Sequence, residues 1–247
     1  MDTTIKEWGP KPQKPTIIEG LPGLGSIGRL TVSLLIDQLN ARKIAELYSP
    51  HFPYQAIVDS RGLVRLPRNE FYYSVQDGEQ FVMITGDCQP QSNYGQYEVA
   101  SKIIQYAAGL SASQIVSIGG FVSVQEDRTL VISGATSNEL VSKMVSAGAK
   151  VERTGIPIVG VAGLMIALAK MSRLDAICLL GQTTGLGPDP AAARRVLEVL
   201  AKALKLKVDL TGLEKQITKT HAIERKVEEI EKKLTATMKK DQTIYIG

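Results

Sequence analysis

Six residues near the start of the chain carry the most recognisable chemistry. Gly23-Leu-Gly25-Ser-Ile-Gly28 follows the short apolar run "TIIEG" and spells the glycine-x-glycine-x-x-glycine fingerprint of dinucleotide sites. There a helix N-terminus meets a pyrophosphate and an acidic residue further on meets a ribose. Glu46 stands at about the expected distance and Arg29 is near enough to favour an anion. Yet "EGLP" intervenes between the strand and Gly23, and Pro22 adds a turn, so the helix would not start directly at the strand end. The six-letter pattern alone is weak. The competing reading is a strand-to-helix turn whose glycines allow close packing.

Other reactive types are scattered. Asp59 and Asp87 are candidates for paired-carboxylate chemistry, although Gly86-Asp87 is also an ordinary turn pair. His51 precedes Phe52-Pro53, and His221 sits in a charged helix; neither has an evident nucleophile to serve. Two cysteines, Cys88 and Cys178, follow apolar runs and are expected to be buried and reduced. With two histidines far apart they make no metal-ligand spacing. No cofactor or metal is implied, and no Walker-type loop points to ATP. Loops around Gly86, Gly119-Gly120 and Gln182-Thr183-Thr184 are where an α/β sheet would place a ligand crevice.

The elements that must position these groups alternate in type. "TIIEG", "KIAELYS", "GLVRLP", "NEFYYSVQ", "EQFVMIT", "QIVSIGG", "TLVISG", "IPIVGVAG" and "DAICLLG" predict strands, with Asp77-Gly78 as a hairpin turn. Between them, Leu30, Leu34, Leu35 and Leu39 mark one face of a helix opened by Ser26. Residues 92–109 predict a helix with Val99, Ile103 and Ile104 inward. Thr136 and Glu139 match a capping box before "NELVSKMVSAG", "LMIALAKM" predicts a helix, and Asp189-Pro190 starts "AAARRVLEVLAKAL". This order implies an α/β domain: a mostly parallel sheet covered by helices on both faces, plus a long C-terminal helix.

The 247 residues suffice for one large domain or two small ones, and a net charge of +4 is mild. Lysines crowd the C-terminal segment but alternate with glutamates, as on a solvated helix, so no nucleic-acid partner is implied. No apolar run reaches membrane-span length, and the polar, Pro-rich start is no signal peptide. The expected address is cytoplasmic. Residues 1–15 read as a loose lead-in and 16–210 as the core domain.

Residues 211–240 differ in kind. Thr211 and Glu214 form a second capping box. Leu213, Ile217, Thr220, Ile223, Val227, Ile230 and Leu234 then recur at steps of three or four, a coiled-coil-like stripe. About 27 residues at ~1.5 Å each make an arm of roughly 40 Å. So narrow an apolar stripe calls for a partner helix, most simply the same helix of another subunit; packing along its own domain is the alternative. Four-helix packing makes a homotetramer plausible.

Five stretches in unbroken order carry a resemblance: "EGLPGLGSIGRL", "YSPHFPYQAIVDSRGLVRLPRNEFYY", "ITGDCQPQSNYGQYEVA", "SIGGF" and "GLGPDPAAARRVLEVL". Together, over roughly residues 16–215, they are similar to archaeal members of the proteasome assembly chaperone family. The resemblance implies a nucleoside-phosphorylase-like α/β sandwich, self-association, the core proteasome as partner, and no enzymatic activity or nicotinamide cofactor. It also implies docking on the proteasome α-subunits through a C-terminal hydrophobic–tyrosine–any-residue motif. Ile244 and Tyr245 match that pair, but Ile246 and Gly247 follow, one residue too many. Residues 241–247 are thus expected to be a docking tail. Acting as assembly chaperone or ATP-independent activator fits this equally. An enzyme on the same scaffold, binding an anion at the Gly23–Gly28 turn with Asp87 as acid/base, is the alternative, and a scaffold for some other partner is the third.

Overall fold

The computed structural model describes residues 2–122, 129–152 and 155–214. An eight-stranded sheet forms its middle, built from β1 (Thr4–Glu7), β2 (Thr16–Glu19), β3 (Arg42–Tyr48), β6 (Asn69–Gln76), β7 (Glu79–Gly86), β8 (Gln114–Phe121), β9 (Val131–Ala135) and β10 (Ala176–Gln182). Their order across the sheet is β1-β3-β6-β7-β2-β8-β10-β9. The central four, β7-β2-β8-β10, run parallel. Antiparallel strands extend the sheet at both flanks, β6-β3-β1 on one side and β9 on the other. The α/β sandwich expected from the sequence is present, and its parallel part is this centre. Two short strands, β4 (Ile57–Val58) and β5 (Val64–Arg65), form a separate ribbon.

Period-two alternation explains why the centre is buried on both faces. Ile18, Phe81, Met83, Val116, Ile118, Ile177 and Leu179 turn to one layer, with α1 (Ile27–Gln38), α3 (Asn138–Ala147) and α5 (Pro190–Leu204) packed over it. Ile17, Val82, Ile84, Ile115 and Ala176 turn to the other, under α2 (Asn93–Gly109) and α4 (Val161–Met171). Each fully buried Ile or Leu contributes about 1.5–3 kcal/mol, so the two layers hold the fold from both sides.

Local signals set the element ends. Asp77 and Gly78 both have positive φ, +48° and +86°, as the tight β6–β7 hairpin demands. Ser92 accepts the Gly95 N–H at the start of α2 (3.1 Å), and Asp189 accepts that of Ala192 (2.8 Å) with Pro190 at the first turn of α5.

Several expectations shift. Ser137, not Thr136, caps α3 by accepting the Leu140 N–H at 3.3 Å. Thr136 Oγ1 instead accepts the Ala176 N–H at 3.0 Å, extending the contact with β10. Ser26 stands at the start of α1, but its side chain makes no capping bond. Residues 156–160 are not a strand: β8 and β9 already take both edges of β10, and Gly160, at φ +91°, leads directly into α4. Only Val64–Arg65 of "GLVRLP" is extended. The lead-in is partly ordered, because Thr4–Glu7 pairs with Ala45–Tyr48 as an edge strand before Pro10 intervenes.

Candidate functional site

The glycine-rich turn sits at the mouth of the sheet, where the parallel strands end. A single 3-10 turn, Leu24–Ser26, links it to α1, with Gly25 at φ +63°. Its glycines serve close packing. A Cβ on Gly28 would stand 2.5 Å from the Ile118 carbonyl oxygen, and one on Gly120 would stand 2.5 Å from that of Leu24. The rest of the turn is gripped by its neighbours. The Asp189 N–H donates to the Gly25 carbonyl (2.8 Å). Gln89 Nε2 donates to the Pro22 carbonyl (2.7 Å), while its Oε1 accepts the Val161 N–H at the start of α4 (3.1 Å). Where a pyrophosphate would approach, this turn meets β8, α5 and Gln89.

Topology removes Glu46 from any such site. It lies in β3, separated from β2 by β6 and β7, whereas a dinucleotide fold sets the acidic residue on the adjacent strand. Glu46 belongs instead to a charge network on the antiparallel flank. Lys43 Nζ stands 2.6 Å from Glu46 and 3.0 Å from Glu70, and Arg68 stands 3.0 Å and 2.7 Å from the same two carboxylates. Arg29 is exposed on α1.

The two candidate aspartates are held apart by structural duties. Burial pushes the Asp87 carboxyl up, but the Arg65 fork, the Arg68 N–H (3.0 Å) and both arginine charges outweigh it and hold the group below the usual carboxylate range. Asp59, with the Leu63 and Arg61 amides and the Arg61 side chain donating to it, is also held low. Both are ionised acceptors at neutral pH, unsuited to proton transfer there. His51 Nε2 lies 3.3 Å from Glu98, and its ring meets Tyr94 edge-on at 5.3 Å. Cys88 and Cys178 are free thiols. Burial pushes Cys88 up to about 11 and Cys178 higher still.

Sequence reasoning missed Glu19. It ends β2, is 1% exposed, and lies in register with Ser117 of β8, which in turn faces Cys178 of β10. The Leu21 N–H (3.0 Å) and the Ser117 hydroxyl donate to its carboxylate. Burial nevertheless raises its pKa to about 7. The signal was present in "TIIEG", where an acid closes an otherwise apolar strand directly before the glycine turn.

Of the self-association stripe, the structure places Leu213 inside the domain. It is 1% exposed and packs in the layer of α1, α3 and α5. Its own domain therefore occupies it, and the core reaches beyond residue 210. The capping box at this point is replaced: Asp209 accepts the Thr211 N–H (2.9 Å), and Glu214 reaches Arg194 (3.3 Å). Ile217, Ile223, Val227, Ile230 and Leu234, like Ile244, Tyr245, Ile246 and Gly247, lie outside the described residues. Among the described residues, no helix is long and apolar enough to cross a membrane.

Residues 17–231 match the PAC2 family. An uncharacterized protein of Methanocaldococcus jannaschii is 33% identical over 217 residues, spanning 87% of this chain and 83% of its own. The crystal structure of Pyrococcus furiosus PbaB, an archaeal proteasome activator, superposes with a TM-score of 0.86 at 36% identity, covering 92% of this chain and 99% of that one. Pyrococcus furiosus PbaA, an archaeal homolog of proteasome-assembly chaperone, superposes with a TM-score of 0.78 at 25% identity, covering 98% and 99%.

Proposed function

The chain belongs to the PAC2 family, and from that premise we propose that it is a proteasome-binding protein of the assembly-chaperone and activator kind. It acts in the cytoplasm as a homo-oligomer, a tetramer by four-helix packing, that docks on the α-ring of the core proteasome through its C-terminal tails. The observation that carries this reading is the near-complete overlap with PbaB, a protein described as an archaeal proteasome activator.

The chain's own residues supply the rest of the argument. The glycine turn is filled by its neighbours and the candidate aspartates are clasped by donors, which favours action by binding over action by turnover. Ile244-Tyr245 matches a hydrophobic–tyrosine docking pair. The stripe from Ile217 to Leu234 gathers subunits, so that several weak tails meet one ring together. Such linkage raises avidity by ~10²–10⁴-fold when the sites can be spanned at once.

Retention on immobilised core proteasome tests this, comparing the full chain with one lacking residues 244–247. The full chain is retained and the truncated chain is lost. Equal retention of both removes the tail from the account, and retention of neither removes the proteasome.

A further inference from the structure

Among the described residues, Glu19 is the one buried carboxyl of the four central parallel strands, and its surroundings are mostly apolar. On its own face β7 contributes Ile84, β8 contributes Ser117 and β10 contributes Cys178. The helices over that face, α2 and α4, turn Val99, Ile103, Val161 and Met165 inward, and Cys88 packs against the same layer. The titratable groups of this layer are the Cys88 and Cys178 thiols and the Tyr73 and Tyr106 hydroxyls, and burial pushes both thiols and Tyr106 further above neutrality. Among the described residues no lysine, arginine or histidine is buried. An ionised carboxylate here has two donors and no compensating charge, an expensive arrangement in a dry interior.

The same residue anchors the glycine-rich turn. Its carboxylate accepts the Leu21 N–H, while the adjoining Gly20 is fixed by its N–H to the Ile84 carbonyl (2.9 Å) and by the Thr85 hydroxyl on its own carbonyl (3.0 Å). Leu24, at the far end of the turn, is 49% exposed and stands with Val122 around Gly185 at the rim of the mouth.

We propose that Glu19 is a proton switch for this turn. With its proton the carboxyl stays in the core and residues 20–26 are held closed. When the proton passes to solvent, the carboxylate draws water in, and the turn loosens together with the apolar rim formed by Leu24 and Val122. The sign follows from linkage. Burial raises the folded-state pKa above its ordinary 4.5 to about 7, so stabilisation present at low pH is lost as pH rises through that value. Between those two values opening becomes about tenfold easier per pH unit, and above about 7 it levels off, because the group is then ionised whether the turn is closed or open.

Amide hydrogen exchange on the full chain tests the switch, read by peptide mass after correction for intrinsic rates. Between about pH 6 and about pH 8, protection over residues 20–26 falls roughly tenfold in the native sequence, steepest up to the midpoint near pH 7 and level above it. Protection in β3 and β6 stays constant, and Glu19→Gln shows no such fall. A second variant guards against misfolding of the first. Ser117→Ala removes a donor that favours the charged form, and so moves the midpoint upward. Constant protection in the native sequence, the same fall in Glu19→Gln, or a midpoint unmoved by Ser117→Ala overturns the proposal. An infrared titration of the native protein that shows no protonated carboxyl at about pH 6 overturns it as well.

Discussion

Arg65 and Asp87 meet as a two-pronged fork, Nη1 to Oδ2 at 2.5 Å and Nη2 to Oδ1 at 2.9 Å. This pair ties the β4–β5 ribbon to the end of β7, two segments with no shared backbone ladder. Both side chains are mostly shielded, at 26% and 19% exposure, so solvent screens the contact only in part. Asp87 is thus a fastener, and that role is why it makes a poor general acid.

Asp87→Asn leaves a neutral acceptor where a charged one stood, and unfolding in denaturant shows a loss of about 1.5–3 kcal/mol. The folded pKa lies below the ordinary 3.8, so the contribution is present above that value and lost as pH falls through the folded pKa. The variant therefore shows a flatter acid limb than the native protein. Limited proteolysis at neutral pH cuts residues 57–65 faster in the variant. An unchanged acid limb would falsify the fastening role.

The glycine turn offers a test that separates packing from ligand binding. Gly28→Ala drives a Cβ to 2.5 Å from the Ile118 carbonyl oxygen, a backbone atom that cannot swing away. Thermal unfolding should register about 1–3 kcal/mol of overpacking. Gly23→Ala meets only the end of the Gln89 side chain at 3.3 Å, in an extended backbone at φ −160° that any residue adopts. It is nearly silent. In a pyrophosphate cradle the third glycine serves close packing too, but the first is also required for its tight turn, so a Gly23→Ala loss as large as that of Gly28→Ala would reinstate the dinucleotide reading.

These sites show what the sequence could disclose. Strands such as Gln114–Phe121 and Ala176–Gln182 were legible because they are apolar and bounded by turn residues. The Asp77-Gly78 turn was legible because its chemistry admits few alternatives. "IPIVGVAG" misled because a short apolar run does not reveal whether a sheet edge is free to receive it. Glu46 was unplaceable for a related reason. Its distance along the chain resembled a cofactor ligand's, and only the strand order puts two strands between it and the turn. Glu19 hid in plain view, since burial of an acid is decided by the strands on either side.

Leu213 separates the domain from the arm. Truncating it to alanine empties a site that is 1% exposed and should cost about 2–5 kcal/mol of stability. Because its own domain takes up the side chain, light scattering at concentrations where the protein stays folded should give an unchanged mass. Ile223→Asp with Val227→Asp, in the proposed self-association stripe, should do the opposite and lower the mass while leaving the domain's unfolding midpoint in place. If Leu213→Ala alone disperses the oligomer, the boundary between core and stripe is drawn in the wrong place.

Gly247 makes the sharpest test of the docking tail, since it is the residue in excess of a hydrophobic–tyrosine–any-residue ending. Its presence carries the terminal carboxylate ~3.3–3.6 Å beyond the position that follows Ile246. Charge pairing at a protein surface weakens steeply over such a distance. Deleting Gly247 alone leaves Ile244-Tyr245-Ile246 as the end and restores the spacing without touching the tyrosine. Retention on core proteasome should then rise above that of the full chain, and added salt should weaken the gain, because it comes from a carboxylate. Tyr245→Ala should lose retention with or without Gly247. A deletion that binds no better, beside a tyrosine variant that binds as well as the native chain, would mean that the end of the chain is not what the α-ring receives.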